Sequence, residues 1–223
     1  MKPSLLIPLT LAVLLTACGA GPATPALPGS EPQVTTPVAP PAAPAPSVED
    51  SATLTLTPSR ALTLDSGATG LAGYFCRFAV CAGDDRDNHQ VRGLLEFTLP
   101  DSLNGAEILS ATLILKPSNP QVAQTTLSAL GSLKVEHVGS LEFDAPALGT
   151  VGQTSSPDAQ KLDVTQALGA DLGRGVSRYR LGFDRASNQD DMSNLYRLEV
   201  VEPGSPQPSE QAPTLVIRFR AKP

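Results

Sequence analysis

The acidic run at residues 83–88 (GDDRDN) is the best candidate for metal chemistry in this sequence. Its oxygen-bearing side chains are Asp84, Asp85, Asp87 and Asn88. Calcium takes about six to eight oxygen ligands, and closely spaced carboxylates and amides supply several of them from one loop. The spacing is not that of an EF-hand, because His89 stands where a further oxygen ligand would be and no glycine turn follows. We expect a solvated turn, with a calcium site as the alternative if the fold brings Asn188, Asp190 and Asp191 to it.

A short hydrophobic run near residue 1 ends in Leu15-Thr16-Ala17-Cys18, which resembles the lipobox of bacterial lipoproteins. Lys2 precedes an apolar stretch of 11 residues, 5–15, and a bilayer-spanning helix needs roughly 20. The resemblance implies that the Cys18 thiol receives a diacylglyceryl group and that cleavage occurs just before it. In bacterial lipoproteins, a residue other than Asp after the lipidated cysteine favours transfer away from the inner membrane. Gly19 holds this position, so the resemblance implies an outer membrane or cell surface location in a cell with two membranes. An ordinary signal peptide is the alternative.

With Cys18 lipidated, the two cysteines that remain are Cys76 and Cys81, an even number in an oxidising compartment. They enclose four residues, which is short enough for a disulfide that closes a local loop. A metal pair is the alternative, but a C-x4-C spacing alone lacks further ligands and only His89 lies nearby. We favour the disulfide.

Aromatic side chains that could stack against a sugar are scarce, since the chain has no Trp and nine Phe and Tyr residues. The one aromatic loop surrounds the first of these cysteines, and its candidate ligand-binding residues are Tyr74, Phe75, Arg77 and Phe78. In the alternative interpretation, Phe75 and Phe78 close the end of the core. His137 lies in a strand-like run, where we expect a surface or hydrogen-bonded interior histidine rather than a catalyst.

Composition divides the chain into a signal peptide (1–17), a linker (18–51) and a globular domain (52–221). Residues 19–50 contain nine prolines and almost no large apolar side chains, so we expect an extended, disordered tether. Without Lys2, 15 basic residues face 22 acidic ones and the formal charge is −7. This charge disfavours binding to nucleic acid and to anionic lipid headgroups.

The globular domain has the two-residue alternation of half-buried β-strands, as in Leu95 and Phe97 against Glu96, and in Tyr179 and Leu181 against the flanking arginines. Strand candidates are residues 53–57, 95–99, 111–115, 133–138, 161–164, 179–183, 195–201 and 215–219. Only Val164–Leu172 suggests a short helix. Eight or more short strands with polar connections predict an all-β, antiparallel, jelly-roll-like sandwich with at most one short helix.

Four stretches in this order are similar to the DNRLRE domain family, which is related to family 96 carbohydrate-binding modules. They are VRGLLEF at 91–97, GAEILSATL at 105–113, DVT at 163–165 and APTLV at 212–216. The resemblance spans residues 55–220 and implies a jelly-roll sandwich of the kind found in secreted bacterial proteins. The cysteine segment and the acidic loop stand where that family usually has an Asn- and Gly-rich segment.

These observations lead to the expectation of a lipid-anchored, extracytoplasmic binding or scaffolding protein that is not an enzyme. The resemblance makes a carbohydrate its possible ligand, with another envelope protein as the alternative partner. The sequence has no HExxH, GxSxG or Walker-type motif. A hydrolase or lyase acting on polysaccharide is the rival class, and it would need carboxylates facing each other across a cleft.

Overall fold

The computed structural model describes residues 51–67, 76, 79–200 and 210–221. In this part of the chain, 11 β-strands form two antiparallel sheets. The strands are β1 (Ser51–Leu56), β2 (Arg60–Asp65), β3 (Ala79–Asp84), β4 (Gln90–Thr98), β5 (Glu107–Leu115), β6 (Leu133–Val138), β7 (Ala147–Thr154), β8 (Gln160–Asp163), β9 (Val176–Phe183), β10 (Asn194–Glu199) and β11 (Thr214–Arg220). None of the described helices is long and apolar enough to cross a membrane.

The two sheets pack face to face as a β-sandwich, which confirms the predicted fold class. The smaller sheet has the order β1-β11-β5-β8. The larger sheet has the order β10-β3-β4-β9-β6-β7, and β2 also pairs with β4. The strands that neighbour each other in these sheets often lie far apart in sequence, so the core is assembled mainly by long-range pairing.

Alternating apolar side chains from both sheets fill the core, as the two-residue period predicts. Leu113 and Ile217 from the smaller sheet meet Leu95 and Phe97 from the larger one, and all four have relative exposures of 0%. In β1, Leu54 and Leu56 pack against this cluster while the alternating Thr53 and Thr55 face solvent. The strands therefore bury the face that the sequence pattern assigns to the core.

The outer face of the larger sheet is covered by the segment between β6 and β7, residues 139–146. Leu94 is fully buried on this face, in a small cluster with Val138 and Ala145. Arg180 pairs with Glu136 at 2.7 Å and also donates to the Ala145 carbonyl at 2.6 Å. The segment is held by these bonds, and the arginines predicted to face away from the core are paired rather than free in solvent.

Two α-helices connect the strands, α1 (Pro120–Leu130) and α2 (Thr165–Asp171). The second confirms the helix expected near 164–172, and the first corrects the expectation of at most one. Residues 117–120 suggest only a turn in the sequence, but the Asn119 side chain accepts hydrogen bonds from the N–H groups of Gln121 and Val122, and Pro120 occupies the first helical position. This is a helix start, because a cap acceptor and a proline there satisfy or remove amide groups that would otherwise lack partners.

Candidate functional site

A cleft of about 350 Å³ opens at the edge of the sandwich where strand β7, strand β8 and helix α2 meet. This volume is at the lower end of the range for small-molecule sites. Strands β7 and β8 approach each other closely here. Glycine at position 152 allows this approach, because a Cβ atom there would lie 2.5 Å from Leu162 Cδ2. The lining residues are His137, Leu148, Gly149, Thr150, Val151, Asp163, Val164, Gln166, Ala167, Ala170 and Arg174. The wall therefore combines aliphatic surface with hydrogen-bond donors and acceptors.

The buried wall of the cleft holds a histidine–aspartate pair. His137 comes from β6 and is 5% exposed, and its Nε2 lies 2.7 Å from Oδ2 of Asp171, which is 2% exposed. The other carboxylate oxygen, Oδ1, lies 3.2 Å from Arg174. This arrangement agrees with the expectation of a hydrogen-bonded interior histidine. No local sequence pattern indicates the partner of His137, because Asp171 is 34 residues away.

The second ring nitrogen of His137, Nδ1, takes no part in the pair with Asp171. Among the described residues, no hydrogen-bond partner reaches Nδ1. The one buried side-chain nitrogen or oxygen atom without a partner among these residues is Tyr196 Oη, so Nδ1 is not a buried atom. Nδ1 is therefore not sealed inside the protein, and His137 lines the cleft. When Nε2 carries the ring proton and donates it to Asp171, Nδ1 is the acceptor available to a ligand.

Asp163, the last residue of β8, stands on another wall of the cleft, two residues before α2 begins. Its Oδ1 accepts hydrogen bonds from the backbone N–H and the hydroxyl of Thr165, at 2.9 and 2.6 Å. These two bonds lower the pKa of Asp163 below its ordinary value. The Thr165 hydroxyl in turn accepts from the N–H of Ala111 in β5 at 2.9 Å. The DVT stretch thus joins the helix to the smaller sheet.

Two of the four residues proposed as oxygen ligands in the acidic run, Asp84 and Asp85, bind backbone N–H groups. Asp84 is fully buried, and its carboxylate accepts from the N–H groups of Asn188 and Asn194. Asp85 is 4% exposed, and its Oδ1 accepts from the N–H groups of Asp87 and His89 at 2.9 and 2.8 Å. Both carboxylates therefore hold loops in place.

The loop that contains Asn188, Asp190 and Asp191 does contact the acidic run. The Asn88 side chain donates to Asp191 at 2.6 Å and accepts from Ser187 at 3.0 Å. Asp190 lies in the same loop and accepts from Asn188 and Asn194. Gly83 allows this approach, because its φ is +148° and a Cβ atom there would lie 1.8 Å from the Asn194 carbonyl oxygen.

A different set of side chains has the spacing of metal ligands. One ligand atom from each of Asp65, Asp85 and His89 lies within 4.8 Å of the others. His89 Nδ1 lies 3.3 Å from Asp85 and 3.7 Å from Asp65. Burial by itself would raise the pKa of Asp85, but the backbone N–H groups of His89 and Asp87 and the His89 and Asp65 side chains lower it overall. Asp65 was not among the sequence candidates because it belongs to β2, 20 residues before Asp85.

Cys76 and Cys81 form a disulfide with a Cα–Cα distance of 6.1 Å. This confirms the predicted pairing, and it consumes the two thiols that the alternative metal pair would need. Cys81 is fully buried in β3, where its N–H donates to the Thr63 hydroxyl at 3.0 Å.

Several sequence candidates lie outside the described residues. They are the lipid-attachment residue Cys18 and the loop residues Tyr74, Phe75, Arg77 and Phe78. The cleft, by contrast, was missed by the sequence reasoning, which looked for aromatic side chains. The period-two pattern of β6 places His137 on the core face with Leu133 and Val135, and this was the signal that could have marked it.

Comparison of the sequence with models of known protein families and with characterised proteins gives no match.

Proposed function

We propose that the chain is a lipid-anchored, extracytoplasmic protein whose β-sandwich is a non-enzymatic binding module, with a carbohydrate as its ligand. The observation that carries this proposal is the cleft beside α2. A sugar hydroxyl both donates and accepts hydrogen bonds, and the cleft offers both kinds of partner through Gln166, Thr150 and His137 Nδ1. The aliphatic side chains of Leu148 and Val151 provide surface for the apolar face of a sugar ring.

The titratable groups at the cleft favour binding over hydrolysis of glycosidic bonds. A glycosidase needs a carboxylic acid with a raised pKa to protonate the leaving oxygen. The pKa of Asp163 is instead lowered by its bonds to Thr165, and Asp171 already pairs with His137 and Arg174. Asp163 therefore lacks the property that this acid requires, and both carboxylate oxygens of Asp171 already have partners.

Retention of the full mature chain in native gels containing envelope or matrix polysaccharides tests the proposal. We expect Gln166→Ala to weaken retention up to about tenfold, since one hydrogen bond to a ligand is lost. Gln121→Ala is the matched control, because it changes the same residue type at the second position of the other helix, where the side chain is exposed. Unchanged retention in Gln166→Ala would show that the cleft is not the site.

Two further measurements separate the rival functions. Tyr74→Ala and Arg77→Ala test the loop that the sequence favours, and loss of retention in these variants alone would move the site there. Release of reducing ends from a retained polysaccharide would identify a hydrolase or lyase. If no polysaccharide is retained, cross-linking the anchored protein in intact cells would identify the protein partner of an assembly function.

A further inference from the structure

We infer that the protonation state of His137 decides which ligand group the cleft accepts at its buried wall. When the ring is neutral, Nδ1 is an acceptor and selects a hydroxyl group. When the ring is protonated, Nδ1 becomes a donor and selects a carboxylate. The inference rests on the proposed function, since it concerns ligands of the same cleft, and it adds a pH-dependent change of specificity.

The position of the proton follows from the buried pair. Nε2 lies 2.7 Å from a carboxylate oxygen of Asp171, a distance typical of a charge-assisted hydrogen bond. The proton on Nε2 is therefore held between the two side chains in both states of the ring. The proton that comes and goes is the one on Nδ1. A change of pH thus changes the chemistry of the atom that a ligand meets.

The charged groups around His137 determine the sign of the effect. Asp171 from α2 contacts the ring, Arg174 from the following turn pairs with the other oxygen of Asp171, and Asp163 from β8 stands on the cleft wall. On the side of β9, the Tyr179 ring lies 6.1 Å from the imidazole, and burial raises its pKa to about 12, so it is neutral.

The remaining neighbouring elements bring no compensating charge. On the strand of His137 itself, Glu136 points to the opposite face and pairs with Arg180. The cleft residues of β7 are uncharged. Protonation of His137 adds one positive charge beside Arg174, Asp171 and Asp163, so the sum of these charges rises from −1 to 0. This added positive charge makes the cleft more favourable to an anionic ligand group than it is with a neutral ring.

Arg174 contributes to this selection because most of its donors are uncommitted. Its side chain is 56% exposed, and a single hydrogen bond, from one terminal nitrogen to Asp171 at 3.2 Å, is the interaction that it makes with the described residues. A guanidinium group has five N–H donors. The others can reach a carboxylate that also accepts from Nδ1.

Nitrogen-15 NMR of the imidazole rings tests the proton position without any ligand. We expect the neutral His137 ring to carry its proton on Nε2 and to gain the second proton on Nδ1 as the pH is lowered. His89 is the other histidine of the chain and distinguishes a general pH effect. A neutral ring with its proton on Nδ1 would overturn the inference.

Binding of two matched probes tests the change of specificity. Methyl glucoside and methyl glucuronide share a sugar ring and differ in one carboxylate, and amide shifts of cleft residues report their binding to the full mature chain. We expect the preference for the glucuronide over the glucoside to rise roughly tenfold or more from pH 8 to pH 5, as a charge-assisted bond replaces a neutral one.

His137→Gln is the decisive variant, because the amide keeps a donor near Asp171 but cannot take up a proton. We expect its probe preference to be independent of pH. If wild type binds both probes with the same preference at both pH values, the inference is wrong and the proposed function stands. If neither probe shifts the cleft residues at either pH, the inference is wrong, and retention on polysaccharides decides the proposed function independently. The NMR measurement on wild type decides the proton position even if His137→Gln does not fold.

Discussion

At the scale of single residues, two buried tyrosines in the core differ in the bonding of their hydroxyl groups. Tyr179 Oη accepts a hydrogen bond from Ser177 at 2.9 Å, whereas Tyr196 Oη has no partner although the residue is 1% exposed. Burial raises the pKa of both hydroxyls to about 12. An unpaired buried hydroxyl costs free energy that a paired one does not.

Removal of each hydroxyl should therefore change stability in opposite directions. We expect Tyr196→Phe to raise the free energy of unfolding by about 1 kcal/mol, because it deletes an unsatisfied group. We expect Tyr179→Phe to lower it by about 1 kcal/mol, because the Ser177 hydroxyl is left buried and unpaired. Urea unfolding measures both, and a loss of stability in Tyr196→Phe would contradict the prediction.

The lowered pKa of Asp85 makes stability depend on pH in the acid range. Its folded pKa lies below the unfolded value of about 3.9. The stabilisation is therefore fully present above that unfolded value and is lost as the pH falls through the folded pKa. We expect Asp85→Asn to lower the free energy of unfolding by about 1 kcal/mol at pH 7 and to change it little near pH 2.

Chemical unfolding at a series of pH values tests this expectation. Asp87→Asn is the control, because that side chain is exposed in the same loop. An equal destabilisation by Asp85→Asn at pH 7 and pH 2 would show that shape or hydrogen bonding, rather than charge, accounts for the role of Asp85.

At the scale of elements, helix α1 shows how a local signal fixes a boundary. Ala123, Thr126, Leu127 and Leu130 are its buried residues, and their spacing is that of one helical face. The Asn119 side chain caps its first turn. Both signals are present in the sequence, but the two prolines at 117 and 120 drew the interpretation toward a turn.

Loss of the cap should destabilise the protein through this helix. We expect Asn119→Ala to lower the free energy of unfolding by roughly 1 kcal/mol, the usual cost of removing an N-cap side chain. Ser128→Ala, an exposed change late in the same helix, should have a smaller effect. Thermal or urea unfolding gives both values, and equal effects would show that the Asn119 bonds contribute nothing specific.

Strand β7 shows why other elements escaped prediction. It lies at the end of the larger sheet, so most of its residues are exposed and no apolar alternation arises. Its glycines also lower its intrinsic preference for a strand. β6 was predicted with the bounds that the structure has, because its Leu133, Val135 and Val138 side chains are buried in a central strand.

At the scale of the whole molecule, the proposed lipid anchor determines where the cleft acts. We expect the full-length wild-type protein, produced in a bacterium, to enter the detergent-rich phase when a Triton X-114 extract is warmed. We expect Cys18→Ser to remain in the aqueous phase, because serine has no thiol to accept the diacylglyceryl group. Immunoblotting of both phases measures the distribution.

The other two cysteines provide the control for this experiment. A variant with Cys76→Ser and Cys81→Ser removes the disulfide by the same chemical change but leaves Cys18 intact. It should still enter the detergent phase. Detergent partitioning that persists in Cys18→Ser would rule out anchoring through this residue.

By itself, the sequence determined the features that depend on neighbouring residues. The two-residue alternation in β1, β4, β9 and β11 specified an all-β fold and the buried face of each strand, because successive side chains point to opposite sides. The five-residue separation of Cys76 and Cys81 indicated their disulfide, since so short a loop closes locally.

Only the tertiary structure decided which distant residues meet. It joined His137 of β6 to Asp171 of α2, and it brought Asp65 of β2 to Asp85 and His89. It also directed Asp84 and Asp85 to backbone N–H groups instead of one shared centre. These contacts follow from strand order and register between segments far apart in the chain, and a local pattern of residue types does not encode either.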